Sequence, residues 1–148
     1  MLDPQLVRDC AAELAKPFRH AGVTRVIGIE SRGFLLGPLI ALELGCGFVI
    51  VRKKGKLPGP NTEASYTLEY GTATIEMQKD AVTSGDRCII HDDLLATGGT
   101  AAAAASLCRM HDAEIIGFNF IVRLTGLKAE TKLDAFSPHI YSLVDYEL

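Results

Sequence analysis

The stretch CIIHDDLLATGGTAAAAA, residues 88–105, constrains the fold and the chemistry of this chain more than any other. Its first four residues are mostly apolar and include two isoleucines, which is typical of a buried strand. The alanines after Thr100 favour a helix. We therefore predict a strand over Cys88–His91, a loop that begins with the acids Asp92 and Asp93, and a helix from Thr100 onward.

The small residues before this helix have the composition of a phosphate-binding loop. Glycines let backbone N–H groups approach phosphate oxygens without a Cβ in the way, and threonines add hydroxyl donors. The positive end of a helix dipole favours an anion by about 0.3–1 kcal/mol. The predicted phosphate loop consists of Ala96, Thr97, Gly98, Gly99 and Thr100.

The two acids before the phosphate loop suit ligand hydroxyls or a hydrated cation. A ribose 5-phosphate fits both the acids and the loop. Its two ring hydroxyls would donate hydrogen bonds to the carboxylates of Asp92 and Asp93, and its phosphate would bind in the neighbouring loop. A Gly-Gly pair is often only a turn, and an Asp-Asp pair is often a solvated strand end. Their combination after an apolar strand favours the phosphate site, although the GxGxxG and GK[ST] patterns are absent.

The remaining composition fits one soluble α/β domain over residues 1–148. The chain is 48% hydrophobic and has a formal net charge of -3, so we expect neither nucleic acid nor a membrane as partner. It has no targeting segment and no long apolar run, which predicts a cytoplasmic protein. The four cysteines form no CxxC pair and are expected to be free thiols: Cys10, Cys46, Cys88 and Cys108.

The first third of the chain predicts a helix that covers a parallel strand pair. Asp3 and Pro4 are a good N-cap and first helical position, and this helix ends near Pro17. Strands over residues 25–30 and 47–52 flank a helix over residues 33–45, which implies a right-handed crossover. Ligands of such sheets bind beyond the carboxyl ends of the strands.

Charged residues follow the ends of these strands. Arg32 opens a loop beside Gly33, and a guanidinium forks onto phosphate oxygens. Residues 52–56 hold four positive charges in an otherwise acidic chain. We expect the ends of the first, second and central strands to converge on one anion-binding crevice.

The later segments complete the predicted sheet. Residues 56–64 should form an irregular cover, and residues 66–70 and 72–78 a β-ribbon that turns at Gly71. Strands are expected over residues 114–122 and 140–144, with a weak helix over residues 127–133 between them.

Three motifs together resemble the type I phosphoribosyltransferases, and among them the adenine phosphoribosyltransferases. They are DDLLATGGT, ESRGF at residues 30–34 and VRKKGKLPG at residues 51–59, and the likeness covers residues 3–147. The resemblance implies a type I phosphoribosyltransferase fold, with a twisted, mostly parallel sheet flanked by helices and a flexible ribbon or lid near residues 53–78. It also implies a segment before residue 3 that helps to enclose the base, and we expect this chain to have a shortened version of it.

The resemblance also assigns roles to residues. The ribose and its 5-phosphate would bind at Asp92, Asp93 and the phosphate loop. Glu69 and Arg32 would be catalytic, Leu124 would pack on the base, and Mg²⁺ would be held indirectly by Asp92 and Asp93. Pyrophosphate would bind at Glu30, Ser31, Arg32, Gly33, Arg52, Lys53, Lys56 and Tyr70, and a cis peptide bond would join Glu30 to Ser31.

The implied activity is the conversion of adenine and phosphoribosyl pyrophosphate to AMP and pyrophosphate, in a homodimer whose basic segment is shared between subunits. A transferase for another base, a non-catalytic regulator that binds phosphoribosyl pyrophosphate or nucleotides on the same fold, and an unrelated nucleotide-binding domain remain alternatives. Two residues depart from the family pattern. His91 replaces an apolar strand residue, and Arg123 replaces an acidic one before Leu124.

Overall fold

A computed structural model describes residues 2–148 of the chain. These residues form seven strands and four α-helices. They are α1 Pro4–Ala15, β1 Arg25–Ile29, α2 Gly33–Leu44, β2 Gly47–Lys53, β3 Asn61–Thr67, β4 Thr72–Gln78, β5 Arg87–Leu95, α3 Gly99–Arg109, β6 Glu114–Thr125, α4 Glu130–Leu133 and β7 Ile140–Glu147. Helices and strands alternate except from β2 to β5, where four strands follow one another.

All seven strands form one sheet in the order β3-β4-β2-β1-β5-β6-β7. The pairs β2–β1, β1–β5, β5–β6 and β6–β7 are parallel. The pairs β3–β4 and β4–β2 are antiparallel. The predicted fold class, a mostly parallel sheet flanked by helices, is therefore confirmed. The carboxyl ends of the neighbouring strands β2, β1 and β5 lie at the same edge.

The helices cover both faces of the sheet. On one face α1 and α2 pack over a cluster that includes Val26, Ile40 and Ile89. On the other face α3 packs over Ile90 and Phe118. Small alanine side chains on α3 let this helix lie close to the strands, because they add little bulk between the two backbones.

Local sequence signals explain where the first two helices begin and end. The side chain of Asp3 accepts hydrogen bonds from the N–H groups of Gln5 at 2.9 Å and Leu6 at 3.3 Å, and Pro4 occupies the first turn. Gly45 ends α2 in the left-handed conformation with φ 66°. The predicted first helix and its N-cap are confirmed.

Two predicted boundaries in the sheet core were wrong. β5 continues through Leu95, so Asp92 and Asp93 lie in the strand and not in the loop after it. β6 likewise continues to Thr125 and includes Leu124. Both strands extend because their parallel ladder continues to the pair Leu95↔Arg123, which local side-chain patterns do not reveal.

The predicted irregular cover over residues 56–64 was too long. Residues 61–64 belong to β3, which pairs with β4 from Asn61↔Gln78 to Thr67↔Thr72. The partner strand supplies the hydrogen bonds that keep this polar stretch extended. The predicted ribbon with a turn at Gly71 is present, and it begins earlier than expected.

Cys10, Cys46, Cys88 and Cys108 are free thiols, and the last two are buried. No helix within residues 2–148 is both long enough and apolar enough to cross a membrane.

A buried polar chain links β5 to α1 through β6. The Nδ1 atom of His91 lies 2.9 Å from Oδ1 of Asn119, and Nδ2 of Asn119 donates to the carbonyl of Leu14 at 2.9 Å. Both polar side chains are fully buried. Burial lowers the pKa of His91 from 6.5 to about 4, so the imidazole is neutral in the folded protein.

We expect His91 to lower the free energy of unfolding as the pH decreases from 6.5 to 4, compared with a variant that lacks this group, because only the unfolded chain takes up the His91 proton in that range. The full contribution is present above pH 6.5. At about 1.4 kcal/mol per pH unit, the His91 contribution to the free energy of unfolding should decrease by about 3 kcal/mol. Asp92 contributes with the opposite sign, because its raised pKa makes the folded chain take up a proton over the same range, so the His91 contribution is the difference between the wild type and a variant without His91. Urea denaturation at several pH values, without divalent cations, measures this slope.

The matched control is His91→Leu, which removes the titrating group. This variant should have a lower slope over the same pH range, even though its stability at pH 7 also changes because Asn119 loses a partner. Equal slopes for the two proteins would contradict the prediction.

Candidate active site

The ends of β1, β2 and β5 enclose a polar crevice of about 460 Å³. Its lining combines four cationic and three acidic side chains with one serine. The lining residues are Glu30, Ser31, Arg32, Arg52, Lys53, Lys56, Asp92 and Asp93. The predicted convergence of three strand ends on one crevice is confirmed, because the crevice draws on all three segments.

The loop between β1 and α2 lies unusually close to β5. A Cβ atom on Gly33 would lie 2.9 Å from the carbonyl oxygen of His91, so no larger residue fits there without a shift of the backbone. This approach places Arg32 beside Asp93, with Nε 2.5 Å from Oδ2. The peptide bond between Glu30 and Ser31 is cis, as predicted.

Glu30 contacts three basic residues at and just after the end of β2. Its side chain is 7% exposed and accepts a hydrogen bond from the N–H of Lys53 at 2.8 Å. It also forms ion pairs with Arg52, at 3.4 Å from Nε, and with the ammonium of Lys56. Burial raises the pKa of Glu30, but the hydrogen bonds from Lys56 and Lys53 outweigh it and hold the pKa below its usual range. Glu30 is therefore an anion among cations.

The two strand-end acids differ in their surroundings. Burial raises the pKa of Asp92 to about 7, and its Oδ1 accepts the N–H of Asp93 at 2.9 Å. Asp93 is ion-paired with Arg32. A proton on Asp92 is thus weakly held near neutral pH, and a ligand that donates hydrogen bonds or brings positive charge would favour the carboxylate.

The phosphate loop lies directly after β5 and leads into α3. Gly98 adopts φ 80°, in the left-handed region, and α3 begins at Gly99 without a side-chain cap. A Cβ on Gly98 would lie 3.2 Å from both the Cβ and the carbonyl oxygen of Ala129. The first N–H groups of α3 therefore have no side-chain partner. Gly98 itself holds a conformation that only glycine adopts without strain.

Four predicted site residues outside the phosphate loop do not line the crevice: Gly33 at the start of α2, Glu69, Tyr70 and Leu124. Glu69 and Tyr70 form the turn between β3 and β4, where Tyr70 is 88% exposed. Leu124 is half-buried on β6 and pairs with Tyr146 of β7. The five residues of the phosphate loop also stand outside the eight that line the crevice.

One acid next to the crevice was not connected with it by the sequence. Glu76 of β4 is 3% exposed and accepts hydrogen bonds from the N–H groups of Lys56 and Leu57. The alternation of β4 places it on the face opposite Ile75 and Met77, which usually indicates an exposed position. No neighbouring residue in the sequence signalled this role, because its partners Lys56 and Leu57 lie about twenty residues earlier.

The crevice can accommodate Mg²⁺ bound together with a phosphate ligand. No group of three or more His, Cys, Asp or Glu side chains in residues 2–148 is arranged to hold a metal by itself. Mg²⁺ commonly keeps several waters and takes one or two carboxylates beside phosphate oxygens. Asp92 and Asp93, next to an anion-binding surface, match that donor set.

Comparison with known proteins agrees with this geometry. Residues 2–144 match the phosphoribosyl transferase domain. The chain belongs to the phosphoribosyltransferase family.

Individual phosphoribosyltransferases are similar over nearly the whole chain. The adenine phosphoribosyltransferase of Aliivibrio fischeri is 42% identical over 146 residues, which are 99% of this chain and 81% of that protein. The crystal structure of adenine phosphoribosyltransferase from Rhodothermus marinus has a TM-score of 0.92 at 46% identity and covers 97% of this chain and 81% of its own.

A third relative was crystallised with ligands. The adenine phosphoribosyltransferase of Saccharomyces cerevisiae, complexed with D-2,5-dideoxy-2,5-imino-altritol 1,6-bisphosphate and adenine, has a TM-score of 0.87 at 42% identity. The similarity covers 95% of this chain and 81% of the yeast chain.

We predict that Gly98→Ala weakens the binding of ribose 5-phosphate about tenfold, the equivalent of about 1.4 kcal/mol. A side chain there is strained by the left-handed backbone and collides with Ala129, so the phosphate loop must move. Isothermal titration calorimetry measures the affinity. Gly85→Ala is the matched control, because Gly85 has φ 85° but open space around it. It should cost about 1–2 kcal/mol of stability and leave the affinity unchanged.

Proposed function

We propose that this chain is an adenine phosphoribosyltransferase, which converts adenine and phosphoribosyl pyrophosphate to AMP and pyrophosphate. The main support is the crevice at the ends of β1, β2 and β5, where four cations face two strand-end acids next to a phosphate loop. The names of the similar proteins support adenine as the base.

In this reaction the bond between the anomeric carbon and pyrophosphate breaks, and a bond from a base nitrogen to the same carbon forms. The transition state resembles an oxocarbenium ion, as in glycoside cleavage. The departing pyrophosphate carries several negative charges. Arg32, Arg52, Lys53 and Lys56 lie where they would neutralise it, and the geometry supports this role because all four line one crevice.

The strand-end acids and the phosphate loop would hold the rest of the sugar phosphate. Asp92 and Asp93 would accept hydrogen bonds from the two ribose hydroxyls, and the N–H groups at the start of α3 would bind the 5-phosphate. Fixing the sugar at both ends orients its anomeric carbon toward the pyrophosphate side of the crevice.

We assign Mg²⁺ to the same crevice. When bound with the substrate, it would withdraw negative charge from the pyrophosphate oxygens. Asp92 and Asp93 would hold it, directly or through water. The raised pKa of Asp92 fits this role, because a buried carboxylate without a full set of partners favours a positive neighbour.

The hairpin of β3 and β4 would act as the lid. Glu69 and Tyr70 are exposed at its tip, so closure of the hairpin is needed to bring Glu69 to the base and Tyr70 to the pyrophosphate. In this arrangement Glu69 steers the proton of the attacking purine, and Leu124 packs against the purine ring.

We further propose a cytoplasmic homodimer. Apolar side chains on α2 are exposed in the single chain, with Leu35 at 55% and Leu42 at 76%, and Ile50 of β2 is exposed at 36%. A patch of this kind is typical of a surface that a second copy covers. The four free thiols suit a reducing compartment.

The activity is tested by pyrophosphate release with phosphoribosyl pyrophosphate, Mg²⁺ and one base at a time. We expect turnover with adenine and at least about a hundredfold lower kcat/KM with hypoxanthine, guanine, uracil or orotate. A site that forms hydrogen bonds with the donors and acceptors of one base strongly rejects a base with a different set. Equal turnover with all five bases, or none with any, would reject the assignment.

The homodimer is tested by sedimentation of the wild-type chain and of Leu42→Glu. The wild type should sediment as a dimer, and the variant should shift toward monomer because it places a charge in the apolar patch. Met110→Glu is the control, since Met110 is 57% exposed at the end of α3, away from α2. Dissociation of both variants, or of neither, would argue against α2 as the interface.

A further inference from the structure

The basic segment, residues 52–56, begins at the end of β2 and adopts a compact conformation that its own charges oppose. It turns at Gly55, where φ is 88°, and carries four positive charges within residues 52–56. Like charges so close together repel one another and favour a spread, solvated conformation. Contacts from elsewhere in the fold must therefore hold this segment against the crevice.

Glu76 supplies part of that contact from β4. Its Oε1 accepts the N–H of Lys56 at 3.0 Å and the N–H of Leu57 at 2.8 Å. In the antiparallel ladder Glu76 pairs with Arg52, so the acid lies across from the start of the basic segment. The carboxylate thus fixes the backbone just after the turn.

The ionised carboxylate of Glu76 is costly to bury unless hydrogen-bond donors satisfy its charge. It is 3% exposed, and the hydrogen bond from Leu57 is the main reason that its pKa is held below the usual range. A buried carboxylate satisfied by main-chain N–H groups strongly favours one backbone conformation, because any other leaves the charge without donors.

Glu30 holds the same segment from the opposite side. It pairs with the ammonium of Lys56 and with Arg52, and it accepts the N–H of Lys53. Lys56 is therefore held at both ends, by Glu76 at its backbone and by Glu30 at its side chain. Glu76 on β4 and Glu30 just after β1 together hold the segment that carries three of the crevice cations.

We propose that Glu76 is a positioning residue for the departing pyrophosphate: it holds the backbone at Lys56 and Leu57 so that Arg52, Lys53 and Lys56 face the crevice. This inference rests on the proposed transferase activity and goes beyond it, because Glu76 does not line the crevice and need not touch the substrate. Its effect is confined to the pyrophosphate side, away from the phosphate loop.

The decisive test compares ligands with and without pyrophosphate in Glu76→Ala. The KM for phosphoribosyl pyrophosphate and the Kd for pyrophosphate with Mg²⁺ should rise about 10- to 100-fold, as expected for the loss of hydrogen bonds to a charged group. The Kd for AMP, which has the sugar phosphate and the base only, should change less than about twofold. Glu76→Gln, whose amide oxygen still accepts both N–H groups, should recover most of the pyrophosphate affinity.

Glu63→Ala is the matched control. Glu63 pairs with Glu76 across the β3–β4 ladder but is exposed, and its carboxylate contacts Lys54 at 3.0 Å. This variant removes an acid of the same charge from the same hairpin. It should leave the affinities for pyrophosphate and AMP unchanged.

Two results would overturn the proposal: an unchanged pyrophosphate affinity in Glu76→Ala, or equal losses for pyrophosphate and AMP, which indicate a general loss of structure. If Glu76→Ala does not fold, Glu76→Asp decides on the same ratio, because its shorter side chain keeps the charge and draws back from the N–H groups. If the wild type binds pyrophosphate but does not use adenine, the proposed function is rejected. The comparison of pyrophosphate and AMP affinities in Glu76→Ala then still tests the role of Glu76.

Discussion

The binding of cations by buried carboxylates is the interaction on which the rest of this structure depends. Parallel strands place their carboxyl ends at one edge, so Arg32, Arg52, Lys53 and Lys56 gather where they would repel one another. Glu30 and Asp93 form ion pairs with three of these cations. The cations that would bind pyrophosphate in the proposed reaction are thereby kept compatible with a folded protein when no ligand is bound.

Close packing behind the crevice supports these ion pairs. Gly33 lets the start of α2 approach β5, which brings Arg32 to Asp93. On the other side of the sheet, Ala129 lies against Gly98, so the segment after β6 also limits the shape of the phosphate loop. The crevice and the loop are rigid because each is built on a strand end and closed by a neighbouring element. In contrast, the tip of the β3–β4 hairpin is exposed, with Tyr70 at 88%.

The sequence predicted those parts of the candidate site that consist of residues adjacent in the chain. The phosphate loop, the ESRGF segment and the basic segment were each recognised from a few adjacent residues, and the structure places the last two at one crevice. Glu76 was missed because its partners, Lys56 and Leu57, are about twenty residues away and because strand alternation suggested exposure. The ends of β5 and β6 were predicted too early because the ladder between them extends both strands.

The amino-acid sequence by itself determined the fold class, the order of strands and helices and the family motifs, since these follow from local periodicity, turn residues and short contiguous patterns. The tertiary structure alone decided which charges are paired and which acids keep a proton. Burial raises the pKa of Asp92 to about 7 and lowers that of His91 to about 4, whereas the buried Glu76 stays ionised because main-chain N–H groups donate to it. The physical reason is that desolvation and hydrogen-bond donors come from segments distant in sequence, and their balance exists only once the chain is folded.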